Sequence, residues 1–275
     1  MDFVERTARD IRKLKIQGAF SVALAAITAM GRAKNRARAE RKLLATRPTE
    51  PMLRNSLKYL RKHKKTNELI AKLKADQEKI IQYAVEKVPR KGIVYTHCHS
   101  STVNEVLKRA KKRGRNFSLN VTETRPFFQG RMTATELAKA KIPVTIFVDS
   151  AARLALKKAD VMLIGADAIT AEGIVINKMG SELMADVANN YQIPIYVCTH
   201  SWKFDPKTVF GFEEKIEKRA SKEIWNRAPR GVQVSNYVFE KIDPNKITGI
   251  VSELGVFKPD TFIEEVRKNY KWMFE

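Results

Sequence analysis

Ile93-Val94-Tyr95, Phe117-Ser118-Leu119-Asn120-Val121, Val144-Thr145-Ile146-Phe147-Val148 and Val161-Met162-Leu163-Ile164 are four apolar runs within residues 91–180. Each is followed by a polar turn and then by a segment of helical pattern. Short β-rich strands alternating with helices predict a parallel sheet with crossover helices. In open sheets of this kind ligands bind beyond the carboxyl ends of the strands. The turns there hold most of the reactive side chains of the stretch: His97, Cys98 and His99; Glu123 and Arg125; Asp149 and Ser150; and Asp167.

Upstream, residues 2–88 read as helical. Ala19 to Ala39 is expected to form one alanine-rich helix, suited to close packing inside a bundle. Arg47-Pro48-Thr49-Glu50-Pro51 ends it, because two prolines so close cannot sit in a helix interior. Amphipathic helices are expected over Met52–Lys62 and Asn67–Val88, and Pro89-Arg90-Lys91-Gly92 breaks into the sheet. The expectation is an α/β chain: a helical domain over residues 1–89, then a parallel-sheet domain over residues 90–275. Downstream come a helix over Met184–Asn190, strands at Ile193–Cys198 and Ile247–Val251, and a helix from Pro259 to about Tyr270. Residues 200–230 read as a charged covering loop with a short helix.

The chain has 275 residues, 44% of them hydrophobic, enough for a sizeable core, and a net charge of +22. Residues 1–90 hold 23 Lys and Arg against 9 Asp and Glu. Such a field attracts polyanions, RNA among them, but equally describes a solvated surface of lysine-rich helices. No apolar run approaches the ~20 residues that span a bilayer, and the first residues lack the apolar centre of a signal peptide. Two cysteines a hundred residues apart, Cys98 and Cys198, fit a reducing, cytoplasmic setting. Adjacent His-Cys-His residues do not converge readily on one ion, so no metal is expected.

Thr96-His97-Cys98-His99-Ser100 places a thiol between two imidazoles and before a helix start, where a thiolate is stabilised. The competing reading, an inert core thiol, is as strong. Asp167, after Gly165-Ala166, sits at a neighbouring strand end and pairs with Cys98 as an acid–base candidate; a turn-capping Asp is its common alternative. Asp149-Ser150 reads as the N-cap of the helix from Ala151. Asn177-Lys178-Met179-Gly180-Ser181 precedes a helix and reads as an anion cradle. Arg125 and Arg131, flanking Gln129-Gly130, are candidates to clamp a phosphate.

These motifs, in this order, resemble the superfamily of the regulatory subunits of translation initiation factor 2B, ribose-1,5-bisphosphate isomerase and methylthioribose-1-phosphate isomerase, archaeal members above all. The resemblance rests on Arg47-Pro48-Thr49, Thr96–Ser100, Glu123-Thr124-Arg125-Pro126 with Gln129-Gly130, Asp149-Ser150-Ala151-Ala152, Gly165-Ala166-Asp167, Asn177–Gly180, and Asn236 with Asp243. It implies a Rossmann-like sheet domain, homodimers or dimer-built hexamers, and no cofactor. In the isomerases the residues matching Cys98 and Asp167 are the catalytic pair, and Arg-Gly-Ala near the N-terminus grips phosphate. This chain has Gln17-Gly18-Ala19, which forgoes a charge-assisted contact of about 1.5–3 kcal/mol. The resemblance therefore favours an initiation factor 2B alpha-like regulator that binds initiation factor 2 through its alpha subunit and keeps a pocket for a phosphorylated sugar or nucleotide. The alternative is an isomerase converting ribose 1,5-bisphosphate to ribulose 1,5-bisphosphate. Either way the expected pocket comprises Gln17, Gly18, Ala19, Arg47, His97, Cys98, Arg125, Gln129, Arg131, Asp167, Asn177 and Lys178.

Overall fold

The computed structural model describes residues 2–213 and 216–275. Five helices come first: α1 (Phe3–Arg12), α2 (Ala19–Gly31), α3 (Arg36–Leu44), α4 (Pro51–His63) and α5 (Thr66–Val85). Ala23, Ala26, Ile27 and Ala29 of α2 are wholly buried, as small residues at a close helix crossing should be. The alanine-rich stretch is two helices rather than one. α2 ends at Gly31, and the Asn35 side chain caps α3 by accepting from the Arg38 N–H at 3.0 Å.

The rest alternates strand and helix: β1 (Lys91–Thr96), α6 (Ser101–Lys112), β2 (Asn116–Thr122), α7 (Gln129–Lys139), β3 (Val144–Phe147), α8 (Ala152–Leu156) and β4 (Val161–Ile164). It continues with β5 (Ala168–Ile169), β6 (Val175–Lys178), α9 (Ser181–Asn190), β7 (Ile195–Cys198), β8 (Phe239–Ile242), β9 (Gly249–Ser252), β10 (Gly255–Phe257) and α10 (Pro259–Asn269). Seven strands form one sheet in the order β10-β9-β7-β4-β1-β2-β3, parallel except for the β10 edge. A small antiparallel sheet, β5-β6-β8, stands apart from it. Its strands, of two to four residues, are too short to show a period.

Alternation along the central strands divides the core. Val94, Val161 and Leu163 share a cluster with α6, α7 and the second half of α5, while Tyr95, Met162 and Ile164 belong to the cluster that holds the first half of α5 and the other helices. A parallel sheet covered on both faces makes both sides apolar, which is why β4 is a continuous hydrophobic run. The segment after β7 is buried at its start and open later. Trp202 and Phe204 are fully enclosed, whereas Trp225 is 50% exposed. No helix among the described residues is long and apolar enough to cross a membrane.

The helical segment is keyed to the sheet by Asn55 of α4. Its amide donates to the Trp202 and Phe204 carbonyls, each at 2.9 Å, in a buried setting. Asn55→Ala strands both carbonyls without a donor, and at about 1–3 kcal/mol per unsatisfied buried group it is expected to cost about 3 kcal/mol. Urea unfolding measures this; a change below about 0.5 kcal/mol would mean that the key is dispensable.

Candidate active site

Strand order reverses between β1 and β4. β1 continues to β2 on one side, and β4 to β7 on the other. The loops beyond this point carry Cys98 from β1 and Asp167 from β4, and both line one cavity of about 540 Å³. Gln17, Gly18, Ala19, Arg47, His97, Gln129, Asn177 and Lys178 line it too. Arg125 and Arg131 do not. Arg131 pairs with Glu123 at 2.7 Å, and both guanidiniums lie over the Phe128 ring, at 5.0 Å for Arg125 and 3.8 Å for Arg131. Glu123, on the same loop, takes up the charge that sequence spacing left unpaired.

Cys98 has φ +68°, in the left-handed region that a non-glycine residue enters at a cost. The turn is held from both ends: its N–H donates to Thr124 Oγ1 at 3.0 Å, and its carbonyl accepts from Thr133 Oγ1 at 2.9 Å. Burial pushes the thiol up to about 12, despite the opposing pull of Lys178. Of the two readings the sequence left open, a stabilised thiolate and an enclosed thiol, the enclosure prevails: the helix that follows starts at Ser101, and burial outweighs it. His97 is buried and keeps its ring in place rather than offering it to a ligand. Nε2 donates to the Met179 carbonyl at 3.0 Å, and Nδ1 accepts from Thr122 Oγ1 at 2.7 Å. Burial holds this imidazole neutral. Gly180 lies so near that an added Cβ would come within 2.9 Å of Nε2.

Asp167 opens on the cavity. Desolvation raises its pKa, against the opposing pull of Lys203, Lys178 and Arg47. Lys178 is buried on β6, its ammonium 5.5 Å from the Phe239 ring and 6.0 Å from the Phe127 ring. Among the described residues neither Lys178 nor Arg47 has a carboxylate within salt-bridge distance, which leaves two cations for an anionic ligand. The Gln129 Oε1 atom is buried without a donor. Gln17 is exposed, its amide donating to the Leu14 carbonyl at 2.6 Å.

Two expected roles change. The N-terminus of α9 is not a vacant anion cradle, because the Glu240 carboxylate already accepts from the Glu182 N–H at 2.7 Å. Asp149 does not cap its own helix. It reaches across to accept from the N–H groups of Thr124 and Arg125, at 2.8 and 2.7 Å, and so fixes the loop after β2. Sequence reasoning passed over Glu50 and Lys203, which also line the cavity. Lys203 is buried and donates to the Ala166 carbonyl at 2.5 Å. A charged residue beside the buried Trp202 was the only available hint. No cluster of three metal-ligating side chains occurs among the described residues.

With the thiol pushed up to about 12, only about one Cys98 in 10⁴ is thiolate at pH 8, against about one in ten for a free cysteine of pKa 9. Alkylation by iodoacetamide is therefore expected to be about 10³-fold slower than that of a small thiol, and to rise tenfold per pH unit up to about pH 11. Rapid labelling at neutral pH would place a thiolate here.

The sequence model of the initiation factor 2 subunit family matches residues 15–259. The ribose 1,5-bisphosphate isomerase of Thermococcus kodakarensis is 31% identical, over 96% of this chain and 94% of its own. The methylthioribose-1-phosphate isomerase of Heliobacterium modesticaldum is 33% identical, over 94% of this chain and 88% of its own. In fold, the chain superposes on the translation initiation factor eIF-2B of Pyrococcus horikoshii with a TM-score of 0.81, at 23% identity, covering 94% of this chain and 98% of that one. The chain belongs to the initiation factor 2 subunit family.

Proposed function

We propose that the chain is an aldose–ketose isomerase of phosphorylated pentoses, that ribose 1,5-bisphosphate is its substrate, and that Cys98 and Asp167 transfer the protons. The observation that carries this is a thiol and a carboxyl lining one cavity at the point where strand order reverses, beside the cations Arg47 and Lys178. Relatives matched along nearly the whole chain bear isomerase names, whereas the initiation-factor likeness is one of family and fold. That reverses the order of the two readings drawn from the sequence.

A thiol that keeps its proton through the neutral range acts as an acid. Cys98 gives its proton to the ring oxygen as the bond from that oxygen to C1 breaks, and Lys178 steadies the resulting thiolate. Asp167, whose raised pKa suits a base that must return what it takes, removes the C2 proton, and that electron pair forms the C1–C2 double bond. The proton then returns to C1 while the C2 hydroxyl gives its own proton to the thiolate. The result is a C2 ketone, with atoms and charge balanced. Arg47 and Lys178 hold phosphate in the place of the missing N-terminal arginine, with the Phe127 and Phe239 rings beside the Lys178 ammonium.

Gln17 is the observation that favours the second reading, a regulator that contacts initiation factor 2 and senses a phosphorylated ligand. That reading requires saturable binding without turnover. The expected results with ribose 1,5-bisphosphate are ketose formation by the wild-type protein and a loss in kcat of at least about 100-fold in both Cys98→Ser and Asp167→Asn. Lys178→Ala is expected to raise KM by about tenfold or more, the value of one charge-assisted contact, and to lower kcat too, because the thiolate loses its neighbouring cation. Undiminished turnover in either of the first two variants would remove that residue from the chemistry.

A further inference from the structure

Glu50 has no role in this chemistry, yet it lies in the same cavity. It occupies the residue before α4, where a side chain ordinarily caps the helix, but it makes no capping bond. The carboxyl is turned inward instead, and its Oε1 atom is buried with no hydrogen-bond partner. Buried polar atoms are almost always paired, so an orphaned carboxyl oxygen on a ligand cavity marks a contact completed by the ligand.

Its surroundings fix its protonation state. Asp167, from the loop after β4, faces it as a like charge. Arg47 from its own turn, Lys203 from the segment after β7 and Arg54 from α4 oppose that effect. Arg54 is already engaged, donating to the Pro48 carbonyl at 2.6 Å and to Asp205 at 2.7 Å. Lys203 donates to Ala166. Burial beside Asp167 therefore prevails and raises Glu50 to about 7.

We propose that Glu50 is a positioning and specificity residue of the pocket, which in its protonated form hydrogen-bonds a hydroxyl of the bound phosphosugar. A neutral carboxyl both donates and accepts, which matches a hydroxyl. An ionised carboxylate in the same place repels the ligand's phosphate. Binding then weakens as pH rises through 7, the reverse of what a purely cationic phosphate site does as phosphate takes up its second charge near pH 6. The inference rests on the phosphosugar reading of the cavity.

The test is calorimetric titration of ribose 5-phosphate, with inorganic phosphate as the sugar-free probe, into wild-type protein, Glu50→Gln and Glu50→Ala at pH 6 and pH 8. A group titrating at about 7 that must be protonated to bind lowers affinity about tenfold between those pH values. Wild-type affinity for ribose 5-phosphate is therefore expected to fall about tenfold relative to Glu50→Gln, which keeps a donor and an acceptor without the charge. Glu50→Ala is expected to bind the sugar phosphate more weakly than Glu50→Gln at both pH values, and inorganic phosphate equally well. Identical pH profiles for wild type and Glu50→Gln would overturn the role of Glu50 and leave the isomerase reading standing. A wild-type protein that binds neither probe at either pH would overturn both.

Discussion

β1 and β4 lie side by side at the centre of the sheet, and their onward connections leave in opposite directions. No crossover helix can cover the seam above them, so the loops 97–100 and 165–167 face each other across a gap. Their approach is close. A Cβ on Gly165 would come within 2.8 Å of Ser100 Oγ. That arrangement brings a thiol and a carboxyl that are distant in sequence to one cavity, on short loops just beyond the strand ends.

The seam supplies only half of the site. The cations and the second carboxyl that border it come from elsewhere: Arg47 and Glu50 from the turn before α4, Lys178 from the small sheet, and Lys203 from the segment after β7. Burying two carboxyls among three cations is costly in desolvation, and the structure offsets it in part. Lys203 donates to a backbone carbonyl, Asp167 lies in the field of all three cations, and Glu50 keeps its proton to about pH 7. The cavity thus holds positive potential for phosphate, while burial raises both carboxyls above their ordinary range. The anchoring of α4 by Asn55 and the Arg54–Asp205 pair holds the helical segment's contribution in register with the sheet.

The central strands were readable because burial on both faces leaves continuous apolar runs with polar residues at their ends. Cys98 and Asp167 were singled out by that position, each beside a structural alternative, and were paired as catalytic residues by the family resemblance. The small sheet was not readable. β5 has two residues, and β6 and β8 have four each, so their pairing is decided by distant partners rather than by local pattern. The state of Cys98 stayed open between two readings for a related reason: a helix start nearby is visible in sequence, but the enclosure that outweighs it is tertiary. Arg125 and Arg131 failed as cavity residues because the sequence does not reveal that Glu123 and Phe128 engage them first. Glu50 was passed over because the stretch between the two prolines reads as a helix stop, and only its burial in the cavity gives it another meaning.

The claim that the cavity isomerises a phosphopentose is tested most directly by incubating ribose 1,5-bisphosphate labelled with ¹³C at C1 with the wild-type protein and following the spectrum. Proton transfer from C2 to C1 converts the anomeric carbon into a methylene, so the anomeric signal is expected to disappear as a phosphorylated methylene grows in. An anomeric signal that stays unchanged while the sugar is demonstrably bound would contradict the account and leave the cavity a sensor.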